Sequence, residues 1–189
     1  MYAALLADAR FHDLLLAADH DLAEACRTAG CACGGPRHMA RYARKPRGRP
    51  CRLGPEHDQR FSFCCAVDGC RSRSTPPSLR FLGRRVYVAT VVVLIAILRD
   101  GVSDARLARL SEVMPIDRRT ISRWRRWWRD VFPATPFWRA ARAAFMPPVD
   151  GTRLPAALID RFVGDAQDRL VALLRFLGPV TGGARMHAF

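Results

Sequence analysis

The segment that most constrains the fold is DRRTISRWRRWWRD, residues 117–130, which holds three tryptophans and six arginines in fourteen positions. On a helix, where successive side chains are rotated by about 100°, the two populations separate. The apolar side carries Ile121, Trp124, Trp127, Trp128, Val131 and Phe132. The polar side, called the arginine face below, carries Arg118, Arg119, Ser122, Arg123, Arg125, Arg126 and Arg129. The sequence therefore predicts an amphipathic helix with an aromatic stripe opposite the arginine face.

The aromatic stripe is expected to pack against other helices of the same chain. Burying one tryptophan removes about 150–250 Å² from water, worth about 4–6 kcal/mol as an upper estimate. We expect Trp124 and Trp128 to lie in the core. Trp127, at the edge of the stripe, is expected to reach a neighbouring segment or a phosphate. Base stacking by these rings is the alternative.

The charge balance points to a polyanionic partner. The formal net charge is +14, from 31 basic and 17 acidic residues. Self-repulsion of this size destabilises a compact chain unless a polyanion binds it. Nucleic acid is the first candidate and an anionic membrane surface the second. Arginine forks match both phosphate oxygens and the O6/N7 edge of guanine, so we expect double-stranded DNA as the partner.

Two stretches of the sequence bear on where in the cell the protein is located. The apolar run VYVATVVVLIAIL, residues 86–98, covers about 20 Å as a helix, against about 30 Å of bilayer hydrocarbon. It predicts a buried core element and no membrane partner. The first residues lack a basic region and carry Asp8, Asp13 and Asp19 where a signal sequence is apolar. We expect a cytoplasmic, nucleoid-associated protein whose seven cysteines are thiols or metal ligands.

Composition divides the chain into four regions. Residues 1–28 have helical spacing, and residues 29–81 are rich in cysteine, glycine and proline, with a basic loop and a short strand at RFSFCC. Residues 82–132 read as three helices. Residues 133–189 form a proline-rich link and a C-terminal helix. The predicted fold is mainly α, with a small zinc-ribbon-like, loop- and β-rich segment, a three-helix helix-turn-helix core, and helices at both ends.

Two close cysteine pairs, in GCACGG and in FCCAVDGC, predict a structural zinc site, because a tetrahedral four-thiolate site needs two such pairs on separate turns. The preferred ligands are Cys31, Cys33, Cys65 and Cys70. Cys64 can replace Cys65, and His38 or Cys26 can enter instead. Unpaired thiols are the alternative, although a loop-rich segment of this size rarely folds unaided. The other histidines are expected to be solvent-facing or locally bonded: His12, His20, His57 and His187.

The region 82–132 has a helix-turn-helix pattern. Its first helix ends at Gly101, and Ser103 or Asp104 caps the second. Pro115 ends the second helix and Asp117 caps the third, the basic one. A short turn followed by a strongly basic helix is typical of proteins that read the DNA major groove.

The arginine face is divided between bases and phosphates in this interpretation. The residues expected nearest to bases are Arg119, Ser122, Arg123 and Arg126. Those expected at phosphates are Arg118, Arg125 and Arg129. The alternative is a solvated basic face, but such helices usually interleave acids, and here only Asp117 and Asp130 occur, at the ends.

The order of motifs RFSFCC, GC, TPPS, RFLGRRVY and RRTISRWRRWW resembles the DNA-binding front end of bacterial insertion-sequence transposases, and more closely uncharacterised transposase-like bacterial proteins. The resemblance covers about residues 29–148. It implies that the ribbon and the helix-turn-helix bind element ends, with the metal on the four cysteines and recognition by the helix after Asp117. The chain departs from the pattern in its short C-x-C pair and in Pro115, where glycine is usual.

A transposase needs three carboxylates that hold two metal ions. Only residues 133–189 follow Phe132, and no strands there could bring the available carboxylates together. Asp160, Asp165 and Asp168 are expected on the polar side of a helix; its inward side is Phe162, Leu170, Leu173, Leu174 and Leu177. We therefore predict a non-enzymatic DNA-binding protein, an accessory or truncated product of a mobile element.

Two other functions stay open. One is a catalytic polynucleotidyl transferase, which would cleave strands in a Mg²⁺-dependent reaction that mutation of Asp150 or of Asp160 should abolish. The other is a zinc-ribbon protein of the transcription apparatus that binds RNA or an acidic partner. For the C-terminal helix there are two uses, homodimerisation and the filling of a groove in its own chain, the second being the default.

Overall fold

The computed structural model describes residues 2–43, 53–82, 86–87, 95, 108 and 118–181. In these ranges the fold is mainly helical with a small antiparallel sheet, which confirms the predicted class in outline. Most of the first two helices of the predicted helix-turn-helix lies outside the described residues, with their caps at 103–104, Pro115 and Asp117. The start of the first predicted helix is wrong, because Val86–Tyr87 form a strand that pairs with Phe81–Leu82. Cys51 and His187 also lie outside them.

The N-terminal region is helical, as its spacing predicts, and the one or two helices expected there are two. Helix α1 spans Tyr2–Ala7 and helix α2 spans Ala9–Thr28. Asp8 ends the first and caps the second, because its carboxylate accepts the Arg10 N–H at 3.0 Å. The buried side of α2 then faces the core.

A three-stranded sheet follows. Strand β1 spans Arg37–Ala43, β2 spans Gln59–Cys65 and β3 spans Arg73–Ser74, in the order β1-β2-β3 with antiparallel neighbours. Strand β2 contains the predicted RFSFCC strand. Two further short strands, β4 (Phe81–Leu82) and β5 (Val86–Tyr87), pair with each other.

The basic segment is helical from its first described residue. Helix α3 spans Arg118–Arg126 and continues into a π-helical turn, Trp127–Val131. Ile121, Trp128 and Phe132 are buried, so the aromatic stripe faces the core as predicted. Trp124 and Trp127 are half-buried against that core.

Val131 departs from the predicted stripe, with 40% of its surface exposed. The reason is the π-helical turn, in which each residue advances by a smaller angle than in an α-helix. The wider turn returns Phe132 to the core and leaves Val131 facing solvent.

In its described part, up to residue 181, the C-terminal region contains three α-helices: α4 (Pro136–Ala141), α5 (Ala156–Ile159) and α6 (Ala166–Thr181). The single predicted helix is therefore wrong in its continuity, because the chain breaks at Gly164, which has a φ of 105°. Asp165 and Asp168 do not merely decorate a polar side. Each accepts the other's backbone N–H, at 2.9 and 3.3 Å, and together they cap α6.

The main core joins the N-terminal, basic and C-terminal helices. The predicted inward leucines of α6 are all buried in it: Leu170, Leu173, Leu174 and Leu177. Phe162 is half-buried at its edge. In the same core, the Phe132 ring lies between those of Trp128 and Trp138, with ring centroids 4.6 and 5.1 Å away. Helix α6 thus fills a groove of its own chain.

A buried carboxylate holds the segment after the sheet. Asp19, in α2, is 2% exposed and faces Arg80, which is 0% exposed. Its Oδ2 accepts Arg80 Nε–H at 2.8 Å and the Ser78 hydroxyl at 2.6 Å, and its Oδ1 accepts the Leu79 N–H at 2.6 Å. The remaining Arg80 N–H groups donate to backbone carbonyls between residues 56 and 59.

A second buried arginine, Arg60 of β2, extends this network. It donates to the carbonyls of Phe81 and Pro76, at 3.2 and 3.3 Å, and to that of Thr181. The Ser78 N–H in turn donates to Thr181 Oγ1 at 2.8 Å. The TPPS turn is therefore tied to α2, to the sheet and to the end of α6.

Replacing Asp19 should destabilise the protein strongly. Asp19→Asn leaves the Arg80 guanidinium buried without its counter-charge, and breaking a buried pair in this way costs about 3–5 kcal/mol. Asp21→Asn, on the exposed side of the same helix, should change the free energy of unfolding by less than about 0.5 kcal/mol. Urea unfolding of both variants measures the difference, and equal losses would contradict the role given to Asp19.

The described histidines named above are solvent-facing or bonded to neighbouring groups, in agreement with expectation. His20 is exposed, but His12 and His57 are buried. His12 Nε2 lies 2.9 Å from the Leu6 carbonyl, and His57 Nε2 lies 3.3 Å from an oxygen of Asp13. Burial lowers the pKa of His12 from its usual 6.5, and the charge of a nearby protonated His57 lowers it further, against the Leu6 hydrogen bond.

This shift predicts acid sensitivity. Because the folded chain favours neutral His12, the unfolded chain binds more protons below pH 6.5. The His12 contribution to stability is therefore complete above that pH and is lost as the pH falls towards the lowered pKa. His12→Gln should reduce the drop in unfolding free energy between about pH 7.5 and 5.5, whereas His20→Gln should leave it unchanged. An identical drop in both variants would refute the assignment.

Candidate metal centre and arginine face

The first cysteine pair lies on a tight turn between α2 and β1. The Gly34 N–H donates to the Cys31 carbonyl at 2.9 Å, and the Cys31 N–H donates to the Gly35 carbonyl at 3.0 Å. A Cβ on Gly35 would come within 2.4 Å of Val67 and 3.0 Å of Cys65 Sγ. Glycine is therefore needed at this position for the two turns to approach each other.

The second pair lies on the turn between β2 and β3. The Cys70 N–H donates to the Val67 carbonyl at 3.2 Å, and the Val67 N–H points at Cys65 Sγ at 3.4 Å. Gly69 takes a φ of 85° between them. Because β1 and β2 are antiparallel, with Arg37 opposite Cys65, the end of β2 meets the start of β1 and the two turns face each other.

The four predicted cysteines form one group. The Sγ atoms of Cys31, Cys33, Cys65 and Cys70 all lie within 4.8 Å of one another. Cys31 Sγ is 3.8 Å from Cys70 Sγ, and Cys33 Sγ is 3.5 Å from Cys65 Sγ. A tetrahedral ion with metal–sulfur bonds of about 2.3 Å holds its sulfurs about 3.8 Å apart. The group therefore fits one structural metal ion.

The thiols of the group differ in acidity. The backbone N–H of Cys33 and its thiol lower the pKa of Cys31 to about 7. The Val67 N–H acts in the same direction on Cys65, but burial and the neighbouring thiols raise the pKa of Cys65 to about 12. The Ser72 backbone likewise favours the Cys70 thiolate, yet contacts with Cys33 and Cys31 leave its pKa raised. A bound cation would favour ionisation of all four sulfurs, so metal binding should release protons.

The alternative ligands lie elsewhere. Cys64 Sγ lies 3.6 Å from the Arg71 carbonyl, on the other side of β2 from Cys65. Cys26 Sγ contacts the Ser74 hydroxyl at 3.4 Å and the Arg37 guanidinium at 3.1 Å. His38 lies on β1, opposite Cys64. Within the described ranges the group of potential metal ligands consists of the four preferred cysteines alone.

The arginine face is exposed along its whole described length. All seven of its residues are on the surface: Arg118, Arg119, Ser122, Arg123, Arg125, Arg126 and Arg129. Arg123 donates to the Thr120 hydroxyl at 3.2 Å, and Arg129 pairs with Asp130 at 2.7 Å. The division between bases and phosphates stays a prediction.

A cavity that the sequence did not predict borders this face. It measures about 320 Å³ and lies between α3 with its π-helical turn and the 3₁₀ turn Gly151–Arg153. Its lining is Ser122, Arg125, Arg126, Arg129, Thr152 and Leu154. The packing of the 151–153 turn against the basic segment is a contact between distant residues, and no local pattern signals it.

The carboxylates considered for catalysis lie in turns and at helix ends. Asp150 accepts the N–H and the hydroxyl of Thr152, at 2.9 and 2.7 Å, and these hydrogen bonds lower its pKa. Asp165 and Asp168 cap α6, and Asp160 is exposed at the end of α5.

Comparisons of the chain with protein-family models, curated proteins and solved structures find no significant match. Within the described ranges, no helix combines the length and the apolar composition that crossing a bilayer requires.

The adjacent cysteines of β2 offer a matched test of the metal centre. Cys65→Ser should abolish metal binding and unfold the sheet region, because Cys65 belongs to the group of four. Cys64→Ser should retain about one metal ion per chain. Elemental analysis and thermal unfolding, with and without chelator, measure both effects. Metal-free wild-type protein that melts identically with chelator would exclude the site.

Proposed function

We propose that this chain is a DNA-binding protein in which a structural zinc site stabilises a ribbon-like segment and a basic helix contacts duplex DNA. The observation that carries the proposal is the arginine face of α3. Six guanidiniums and one hydroxyl lie exposed on one side of a helix whose other side is anchored in the core. A helix held in this way can present its charges without unfolding.

Duplex DNA fits this surface in shape and charge. The major groove is about 12 Å wide and admits one α-helix. Arginine forks bind phosphate oxygens and guanine edges in two-pronged fashion. The net charge of +14 favours a polyanion over a neutral partner. That α3 is the recognition helix of a helix-turn-helix is part of the proposal and rests on the sequence of residues 82–117.

Zinc is the proposed metal. Four thiolates in a closed tetrahedral arrangement are typical of structural zinc, which keeps no open position for substrate. Such a site contributes about 10–16 kcal/mol of apparent binding free energy, enough to order a loop-rich segment. Elemental analysis is expected to find zinc in the wild-type protein and in Cys64→Ser, but not in Cys65→Ser.

A mobile-element origin is proposed from the motif order that resembles insertion-sequence transposases. In this proposal the chain binds the ends of such an element. Asp150, Asp165 and Asp168 have local capping roles, since these carboxylates stabilise turns and helix ends.

DNA binding should depend on salt and on individual arginines. With roughly five phosphates neutralised, log affinity should fall with log salt at a slope near −4 to −5. Arg118→Gln should make that slope shallower by about 1 for all DNA sequences, because this residue is assigned to phosphate. Arg119→Gln should cost about 1–3 kcal/mol on the preferred sequence and relax its selectivity. Selection from a random duplex pool supplies the preferred sequence.

The control for this series is Arg139→Gln, which removes the same charge from the exposed side of α4. It should change affinity and slope little. Equal affinity of the wild-type protein for selected and random duplexes would remove the claim of sequence specificity. Equal losses of DNA affinity in all three variants would mean that binding depends on net charge and not on the arginine face.

A further inference from the structure

We propose that the cavity beside the arginine face is a phosphate-binding pocket, built by Ser122, Arg125, Arg126 and Arg129 together with Thr152. The inference deepens the proposed function, on which it rests only for the source of the phosphate. It gives part of the arginine face a concave site with a second wall, which a helix lying alone in solvent would lack.

The helix spacing brings the four α3 and π-turn residues to one side. Ser122 is three residues from Arg125 and four from Arg126, and Arg129 follows these arginines by four and three residues. Such positions are neighbours on a helix surface. The turn Gly151–Arg153 closes the other side, and buried Leu154 gives the cavity an apolar wall.

The charges around the cavity are unbalanced. Arg129 pairs with Asp130, whose carboxylate also feels the charge of Arg126. Arg125 has no hydrogen-bonding or ion-pair partner among the residues that the structure describes. Asp150 precedes the turn on the other side of the cavity but is not part of the lining, and its Oδ1 accepts hydrogen bonds from Thr152. Like charges four residues apart repel each other, and a bound anion would remove that cost.

A phosphoryl group matches this lining. Guanidinium forks and hydroxyls are its usual donors. Arg125 and Arg126 line the cavity with their forks, while Arg129 adds charge although its own fork is paired with Asp130. A volume of about 320 Å³ lies at the lower end of small-ligand pockets, so the site suits one or two phosphates and not a large cofactor. The phosphate can belong to the DNA backbone or to a free nucleotide.

This assignment changes the expected roles of two residues. Ser122 and Arg126, first placed nearest to bases, now hold a phosphate with Arg125 and Arg129. Base reading is left to Arg119 and Arg123, nearer the N-terminal end of α3. The pocket would then fix the register of the helix on the duplex, which is what phosphate contacts do in DNA complexes.

Calorimetric titration with inorganic pyrophosphate tests the pocket without DNA. Wild-type protein should bind it, and Arg126→Gln and Arg125→Gln should each weaken binding by about tenfold, the loss of one charge-assisted contact. Arg139→Gln, an exposed arginine outside the cavity, should bind as the wild type does. No binding of pyrophosphate, or equal weakening by Arg139→Gln, would overturn the pocket.

Competition then identifies the source of the phosphate. Displacement of pyrophosphate by a short duplex supports a DNA phosphate in the pocket. If pyrophosphate binds as expected but no duplex binds at any salt concentration, the proposed function fails and the pocket stands as a nucleotide-type site. If duplex binds normally while pyrophosphate does not, the pocket fails and the proposed function stands.

Discussion

The buried pair of Asp19 and Arg80 is the interaction on which the arrangement of the chain depends. One carboxylate accepts hydrogen bonds from a guanidinium, a hydroxyl and a backbone N–H, while the guanidinium donates to carbonyls near the start of β2. Because both charged groups are paired and hydrogen-bonded, they can be buried. Burial of either charge without its partner would be strongly destabilising. The pair locks the segment after the sheet onto α2, and Arg60 ties the same segment to the end of α6.

The sheet is held by a different device at each end of β2. Arg60 near its start enters the buried polar network, and Cys65 at its end enters the group of four thiols. Between them the strand contributes Phe61 and Phe63 to a small apolar cluster with Ala23 of α2. So small a cluster supplies little hydrophobic stabilisation, which is consistent with the presence here of buried ionic contacts and of four cysteines close enough to hold a metal ion.

The basic helix combines stability on one side with charge on the other. Trp128 and Phe132 lie in the core with Trp138, so the helix position is set by aromatic packing that does not involve the arginines. The free energy gained by aromatic packing therefore offsets the repulsion among the guanidiniums, and their charges remain exposed for an anionic partner. The cavity against the 151–153 turn extends this surface beyond the helix.

The sequence by itself determined the features that depend on local spacing: the two faces of α3, the N-terminal helices, the strand RFSFCC and the two cysteine pairs. The tertiary structure decided which side chains meet across the chain. It placed Cys65 and not Cys64 in the thiol group, joined Arg60 to Thr181 over 121 residues, and set Thr152 against the arginine face. Periodicity and turn residues report which way a side chain points on its own element. The partner it meets depends on how distant elements pack, and no short pattern records that.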